Sequence, residues 1–203
     1  MKKFLKKANR GLLLGGLALF LLIIYIYVDY SGFDEEKTKV KEVVENYIEN
    51  FYMKMSQNDY EGIYELVDKS WSDEIIITGE DYYYEDKENL SQFFEAHKSK
   101  TTKEQYGKVT SDIEMLSVSK IGPDMAKVEV SYSVNMEIGA ESKYYSPFTS
   151  YSSRLYEDDI HKEYIYKVEY FVNVYLRKVD GEWKIVQCEG EETNSFLDIK
   201  ESE

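Results

Sequence analysis

Residues 11–28, GLLLGGLALFLLIIYIYV, contain no charged side chain. As a helix rising about 1.5 Å per residue, a run of that length reaches roughly 27 Å, close to the roughly 30 Å of a bilayer's hydrocarbon core. Lys2, Lys3, Lys6, Lys7 and Arg10 precede it, and Asp29, Asp34, Glu35 and Glu36 follow it. The positive-inside bias then puts residues 1–10 in the cytoplasm and everything after residue 28 outside it. Tyr25, Tyr27 and Tyr30 suit the outer membrane–water interface. The rival is a cleaved signal peptide. Against it, the run is longer than a usual signal core and no small-x-small cleavage pattern follows. The expectation is a retained, single-pass cell-membrane anchor with its C-terminal domain extracytoplasmic. Gly11 and Gly15, spaced four apart, mark the face on which two such helices would pack closely.

Net charge is −14, and the first ten residues carry +5, so the remainder is at −19. A domain that acidic repels phosphate backbones, which argues against nucleic acid as a partner. Hydrophobic content of 43% supports a real core. Cys188 is the only cysteine, so the chain forms no internal disulfide. It falls in a strand pattern without a basic neighbour, which reads as a packing residue.

Residues 29–37 read as a polar linker. Beyond it, Val40, Val43, Val44, Tyr47, Ile48, Phe51, Tyr52 and Met55 follow 3-4 spacing, one apolar stripe of a helix over 38–57. Asn58-Asp59 ends it and caps a shorter helix presenting Tyr60, Ile63, Tyr64 and Val67. Residues 72–86, with EIII and a run of three tyrosines, read as an irregular or short strand segment. A third helix over 87–99 turns Leu90, Phe93 and Phe94 inward. The period then changes to 2. Strands are predicted over 107–119, over 125–138 with Val128 to Ile138 alternating, and over 164–176 with Tyr164 to Leu176 alternating. Asp180-Gly181 is a strong hairpin signal, since Gly accepts positive φ and Asp tolerates it. A two-residue turn pairs Val179 with Glu182 and Leu176 with Ile185, and sets Arg177 against Lys184. Burying Leu176, Trp183 and Ile185 is worth on the order of 1.5–3 kcal/mol each, which outweighs the like-charge pair. Helices first and one-sided strands afterwards indicate an α+β fold over 38–190, with an acidic, frayed tail over 191–203.

Candidate chemistry is thin. Asp68, Glu114, Glu129 and Glu169 are possible bases, and Tyr64, Tyr132 and Tyr170 possible donors. Glu129 and Glu169 fall on the polar side of their alternation, which reads as a solvated face. His97 and His161, the only histidines, lie in different elements without metal-ligand spacing. Asp158-Asp159 with His161 reads as a solvated loop. Asn89-Leu90-Ser91 fits a glycosylation sequon, a signal common by chance. There is no phosphate loop, nucleophile elbow or calcium loop. No catalytic residue, cofactor or metal is expected. The stretch 139–160 differs: it is long, and its Tyr144, Tyr145, Phe148, Tyr151 and Tyr156 are types that interfaces favour, so they are the expected partner-binding residues.

The order of elements, with KENLSQFFEAH in the third helix and LRKVDGEWKIVQ at the terminal hairpin, resembles the nuclear-transport-factor-two-like superfamily. That resemblance covers about residues 38–190. It implies a cone in which three helices pack on a curved antiparallel sheet. The superfamily spans many functions, so the resemblance bears on fold. With the anchor added, the architecture resembles the bitopic assembly subunits of type IV secretion and conjugation systems. What that implies is a non-catalytic scaffold making contacts with other membrane-complex subunits and with copies of itself. The alternative is a membrane-tethered small-molecule-binding or sensing domain, or an isomerase-like enzyme. A packed cone interior favours the scaffold, and a roomy one with convergent polar groups favours the alternative.

Overall fold

The computed structural model describes residues 10–74, 85–98, 106–139, 142–150, 152–154 and 163–199. Its helices are α1 (Arg10–Ser56), α2 (Tyr60–Ser70) and α3 (Lys87–Lys98). Its strands are β1 (Tyr106–Gly122), β2 (Met125–Gly139), β3 (Lys143–Tyr145), β4 (Ser152–Arg154), β5 (Glu163–Val179) and β6 (Glu182–Ile199). The chain divides into two compact units, 1–38 and 39–203.

In the first unit, Leu14 and Leu17 through Val28 leave their apolar side chains exposed. This is the one helical stretch among the described residues long and apolar enough to cross a membrane. The expected linker 29–37 is helical instead. Nothing in YSGFDEEK breaks a helix strongly: there is no proline, the Ser31 hydroxyl donates to the Val28 carbonyl at 3.0 Å, and Lys37 pairs with Asp34 one turn back.

The second unit is α+β, three helical segments on a curved antiparallel sheet, the arrangement implied by the resemblance. The sheet order is β1-β2-β5-β6, every pairing antiparallel, with β3 and β4 forming a separate ribbon. On α1, Val40, Val44, Tyr47, Ile48, Phe51, Tyr52 and Met55 are buried, and Val43 is half-buried. Asp59 caps α2: its carboxylate accepts from the Gly62 N–H at 2.9 Å, and Lys54 lies 3.2 Å away. Asp86 caps α3 likewise, accepting from Asn89 N–H at 2.9 Å. Alternate residues of β2 from Ala126 to Ile138 and of β5 from Tyr164 to Leu176 are buried and share the inner face.

The terminal hairpin has the predicted register. Val179 faces Glu182, Leu176 faces Ile185 and Arg177 faces Lys184. Asp180 and Gly181 both have positive φ, 51° and 88°, as a two-residue turn of this kind requires. Beyond it, a bulge at Val186 shifts the pairing so that Val174 faces Cys188. The backbone of β6 is also bonded on its far side: Ser72 N–H donates to the Ile185 carbonyl at 2.7 Å, and Glu85 and Cys188 exchange two bonds of 3.2 Å. Residues 191–199 of the expected tail are not frayed, because β6 runs on to Ile199 along β5; residues 200–203 lie outside the described residues. Its backbone supplies the ladder partner that Tyr164 to Tyr170 need, and polar side chains do not prevent that.

Candidate functional site

The concave face collects tyrosines. Tyr132 on β2 and Tyr170 on β5 stack with centroids 5.0 Å apart. From α1, Tyr52 meets Tyr132 at 6.3 Å, and Tyr47 meets Trp71 at 6.1 Å and Phe148 at 5.4 Å. The connection over 142–150 enters from the side. Tyr145 packs among Tyr60, Phe93 and Phe94, Phe148 packs between Tyr47 and Tyr132, and Tyr144 lies 4.4 Å from Tyr166.

The hydroxyls are tied into the backbone and to a few polar side chains. Tyr47 donates to the Pro147 carbonyl at 2.7 Å, Tyr144 to the Glu192 carboxylate at 3.0 Å and Tyr106 to the Lys143 carbonyl. Tyr132 and Ser146 hydroxyls lie 3.4 Å apart. Burial pushes the phenols of Tyr47, Tyr52, Tyr132, Tyr166 and Tyr170 above the ordinary tyrosine range. They are neutral near neutral pH and are not bases; Tyr47 donates as above, and among the described residues the buried Tyr52 hydroxyl has no hydrogen-bond partner. Burial also pushes the Cys188 thiol well up, so it is a protonated packing residue, and its S–H donates to the Phe148 carbonyl at 3.0 Å.

One carboxylate sits at this site that the sequence did not single out. Glu85 is 2% exposed. Its Oε1 accepts from both the Ser150 N–H, at 3.0 Å, and the Ser150 hydroxyl, at 2.7 Å. Its Oε2 is buried with no hydrogen-bond partner among the described residues. Glu85 lies just before the Asp86 cap, in an acidic stretch with no periodicity, so no local pattern marks it. Glu192 lies in the acidic 191–203 stretch, whose side chains carry no strand pattern to mark it.

The carboxylates that the sequence offered as bases do not reach the interior. Glu129 is on the outer sheet face. Lys127 and the Ser117 hydroxyl, each at 2.8 Å, hold its carboxyl below the usual range. Glu169 pairs with Lys167 at 2.9 Å on that face, where Glu114, opposite Ser131, is exposed. Asp68, also exposed, pairs with Lys87 at 3.0 Å. Tyr64 is half-buried on α2, His97 lies on α3, and Tyr151, Tyr156, Asp158, Asp159 and His161 lie outside the described residues. Among the described residues no three His, Cys, Asp or Glu side chains gather to hold a metal.

The expected partner surface needs correction. Tyr144, Tyr145 and Phe148 are buried, at 8%, 2% and 1% exposure, and they fill the interior. Side chains so enclosed offer no area to a partner. Length and aromatic content look the same in a surface loop and in an inserted one; only burial separates them. A surface cleft of about 450 Å3 lies elsewhere, between α1, the end of α2 and the hairpin tip, with Val43, Leu66 and Trp183 as apolar lining and Lys39, Lys69 and Lys184 among its charges.

No family model matches the chain, and no curated protein matches it. Among solved structures it is similar to a putative scytalone dehydratase from Novosphingobium aromaticivorans DSM 12444, at 14% identity and TM-score 0.43, covering 79% of this chain and 86% of that one. It is also similar to a hexachlorocyclohexane dehydrochlorinase, LinA type 2, at 9% identity and TM-score 0.47, covering 84% and 91%. Both proteins bear the names of enzymes. The expectation that the chain is not an enzyme is therefore withdrawn; a missing sequence motif does not exclude chemistry in such a domain.

Proposed function

We propose that the chain is a membrane-anchored assembly subunit whose extracytoplasmic domain holds partner proteins at the membrane, as in a secretion or conjugative transfer apparatus. The observation that carries it is the exposed, uncharged helical run joined to a folded acidic domain. A tether confines the domain to a surface, and that raises its effective concentration for weak contacts. The filled interior adds support, since a cone packed with its own aromatic side chains has its outer surfaces left for binding.

With Tyr144, Tyr145 and Phe148 enclosed, the partner surface moves to the outer sheet face. Ile165, Phe171 and Phe196 are its exposed apolar side chains, at 38%, 36% and 50%. Phe196 faces Lys167 across the ladder, which makes Ile165 its diagonal neighbour. Gly11 and Gly15 lie on the exposed surface of α1, and a Cβ at Gly15 would meet nothing within 4 Å, so this face suits a second anchor helix of a homo-oligomer. Orientation follows the basic N-terminus, with the N-terminus cytoplasmic and the domain outside.

Protease added to intact spheroplasts tests the tether. It should remove the domain and leave a short membrane-bound fragment that resists carbonate extraction. A domain that stays protected, or a mature chain beginning after Tyr30, contradicts it.

A further inference from the structure

We propose that the edge strand β1 pairs antiparallel with β1 of a second copy of this chain, across a two-fold axis at Ser111, and so joins two sheets into one. β1 ends the four-stranded sheet, and among the described residues its one strand partner is β2. Its inner face is unfinished. Alternate residues of β2 from Ala126 to Ile138 are buried, whereas Val109, Ile113 and Met115, opposite Met136, Tyr132 and Val130, are half-buried. Leu116 and Ile121 on the same strand are 47% and 44% exposed. A sheet edge offers backbone donors and acceptors, here beside apolar side chains that β2 alone does not cover, and an added strand serves both.

The irregularities of β1 set where the pairing falls. Its register against β2 shifts between Tyr106 and Val109 and again between Met115 and Ser117, which leaves residues 109–115 as a straight run. Residues directly opposite in a sheet share a face, so a two-fold antiparallel pairing sets one residue against itself. An axis through Asp112 sets that carboxylate against its own copy. One through Ile113 sets Asp112 against the partner's Glu114, and one through Glu114 repeats the like-charge clash. An axis through Thr110 puts Ile113 against the partner's Gly107 and wastes its apolar surface. Axes nearer the ends run into the irregularities. The axis through Ser111 avoids all of this: Val109 meets the partner's Ile113, Thr110 the partner's Asp112 and Lys108 the partner's Glu114.

Charge complementarity is what selects a second copy as the occupant. Lys108 and Glu114 are both exposed, and among the described residues neither side chain forms an ion pair. The two-fold repeats their contact, so each dimer holds two such pairs flanking an apolar centre. Edge lysines and bulges are also the devices that keep sheet edges from indiscriminate pairing. Here they restrict it to one register, and to a strand that carries the complementary order of charges. The pairing is independent of what the outer sheet face binds, because a strand added at the edge leaves that face open.

Disulfide trapping of the full chain in detergent micelles tests the register. The native Cys188 is buried, so the wild type serves as the blank. Ser111→Cys should give a disulfide-linked dimer on mild oxidation, since residues directly opposite in paired strands lie within disulfide reach. Ser119→Cys, exposed on the same strand but far from the axis, should give less by about tenfold or more. In the Ser111→Cys background, Lys108→Glu and Glu114→Lys should each slow trapping by about tenfold, because two attractive pairs become two repulsive ones. The double variant restores the pairs in reverse order and should recover the original rate, which no loss of folding would mimic. Two results overturn the proposal: Ser111→Cys dimers no more abundant than those of Ser119→Cys, or trapping that the single reversals leave unchanged or the double one fails to restore. If Ser111→Cys does not fold, a mixture of Thr110→Cys and Asp112→Cys chains takes its place, with mixed dimers expected and their absence contradictory.

Discussion

Phe51 on α1 and Phe94 on α3 meet edge to face, ring centroids 5.6 Å apart and planes at 67°. Both are fully buried. The contact joins the long helix to the third one across the core. Phe51→Ala should destabilise the domain by about 3–5 kcal/mol, through lost transfer energy and the cavity left behind. Urea unfolding of the domain measures it, and a loss below about 1 kcal/mol would put the ring outside the core.

The 142–150 segment gives a second outcome. Replacing Tyr144, Tyr145 and Phe148 together by Ser removes three buried aromatic side chains, and each alone is worth about 3 kcal/mol or more. The triple variant should fail to fold or melt far below the wild type. A nearly unchanged melting temperature would return these residues to the surface.

Asp59 sets a pH-dependent increment. The Gly62 N–H, and secondarily Lys54, hold its carboxyl below the usual range. A depressed folded value means that its stabilisation is complete above the unfolded value and fades as pH falls through the folded one. Removing the cap in Asp59→Ala should cost about 1 kcal/mol near neutrality. Its side chain is 40% exposed, so Lys54 adds little of that. The gap between wild type and variant should begin to narrow below about pH 4 and go on shrinking as pH falls through the lowered folded value. A gap that is constant down to pH 2 would show that the carboxylate is not the source.

Gly190 offers a steric check. A Cβ there would stand 2.8 Å from the Phe171 carbonyl oxygen and from a Val172 methyl, where β6 crosses close to β5. Gly190→Ala should cost about 1–3 kcal/mol through the forced shift, readable as a lower midpoint in urea. An unaffected midpoint would mean that the two strands are further apart.

Much of the fold was legible because it rests on local, repeated signals. The stripe from Val40 to Met55, the alternation from Val128 to Ile138 and the Asp180-Gly181 turn each combine apolar spacing with backbone preference. Where signals were weak, the boundaries moved. Residues 29–37 joined the helix since helix-compatible charges do not look like a boundary or a core. Residues 191–199 joined the sheet since ladder bonds are made by backbone and Glu192, Ser195 and Leu197 carry no continuous apolar face. The site was less legible. Glu85 meets Ser150 across 65 residues and Tyr144 meets Glu192 across 48, and pairs so distant leave no period to read. In the stretch 139–160, no sequence difference separates an aromatic loop that binds a partner from one that packs inside, as Tyr145 and Phe148 do.

The outer sheet face is proposed to bind partners at the membrane. Photo-crosslinking side chains placed at Phe171 and at Phe196, in the full chain in native membranes, test it most directly. Discrete protein adducts are expected from both positions, lost when Ile165 is replaced by Lys, while a crosslinker at the exposed Glu182 of the hairpin tip should give none. Adducts absent from both sheet positions, or equally strong from Glu182, would contradict it.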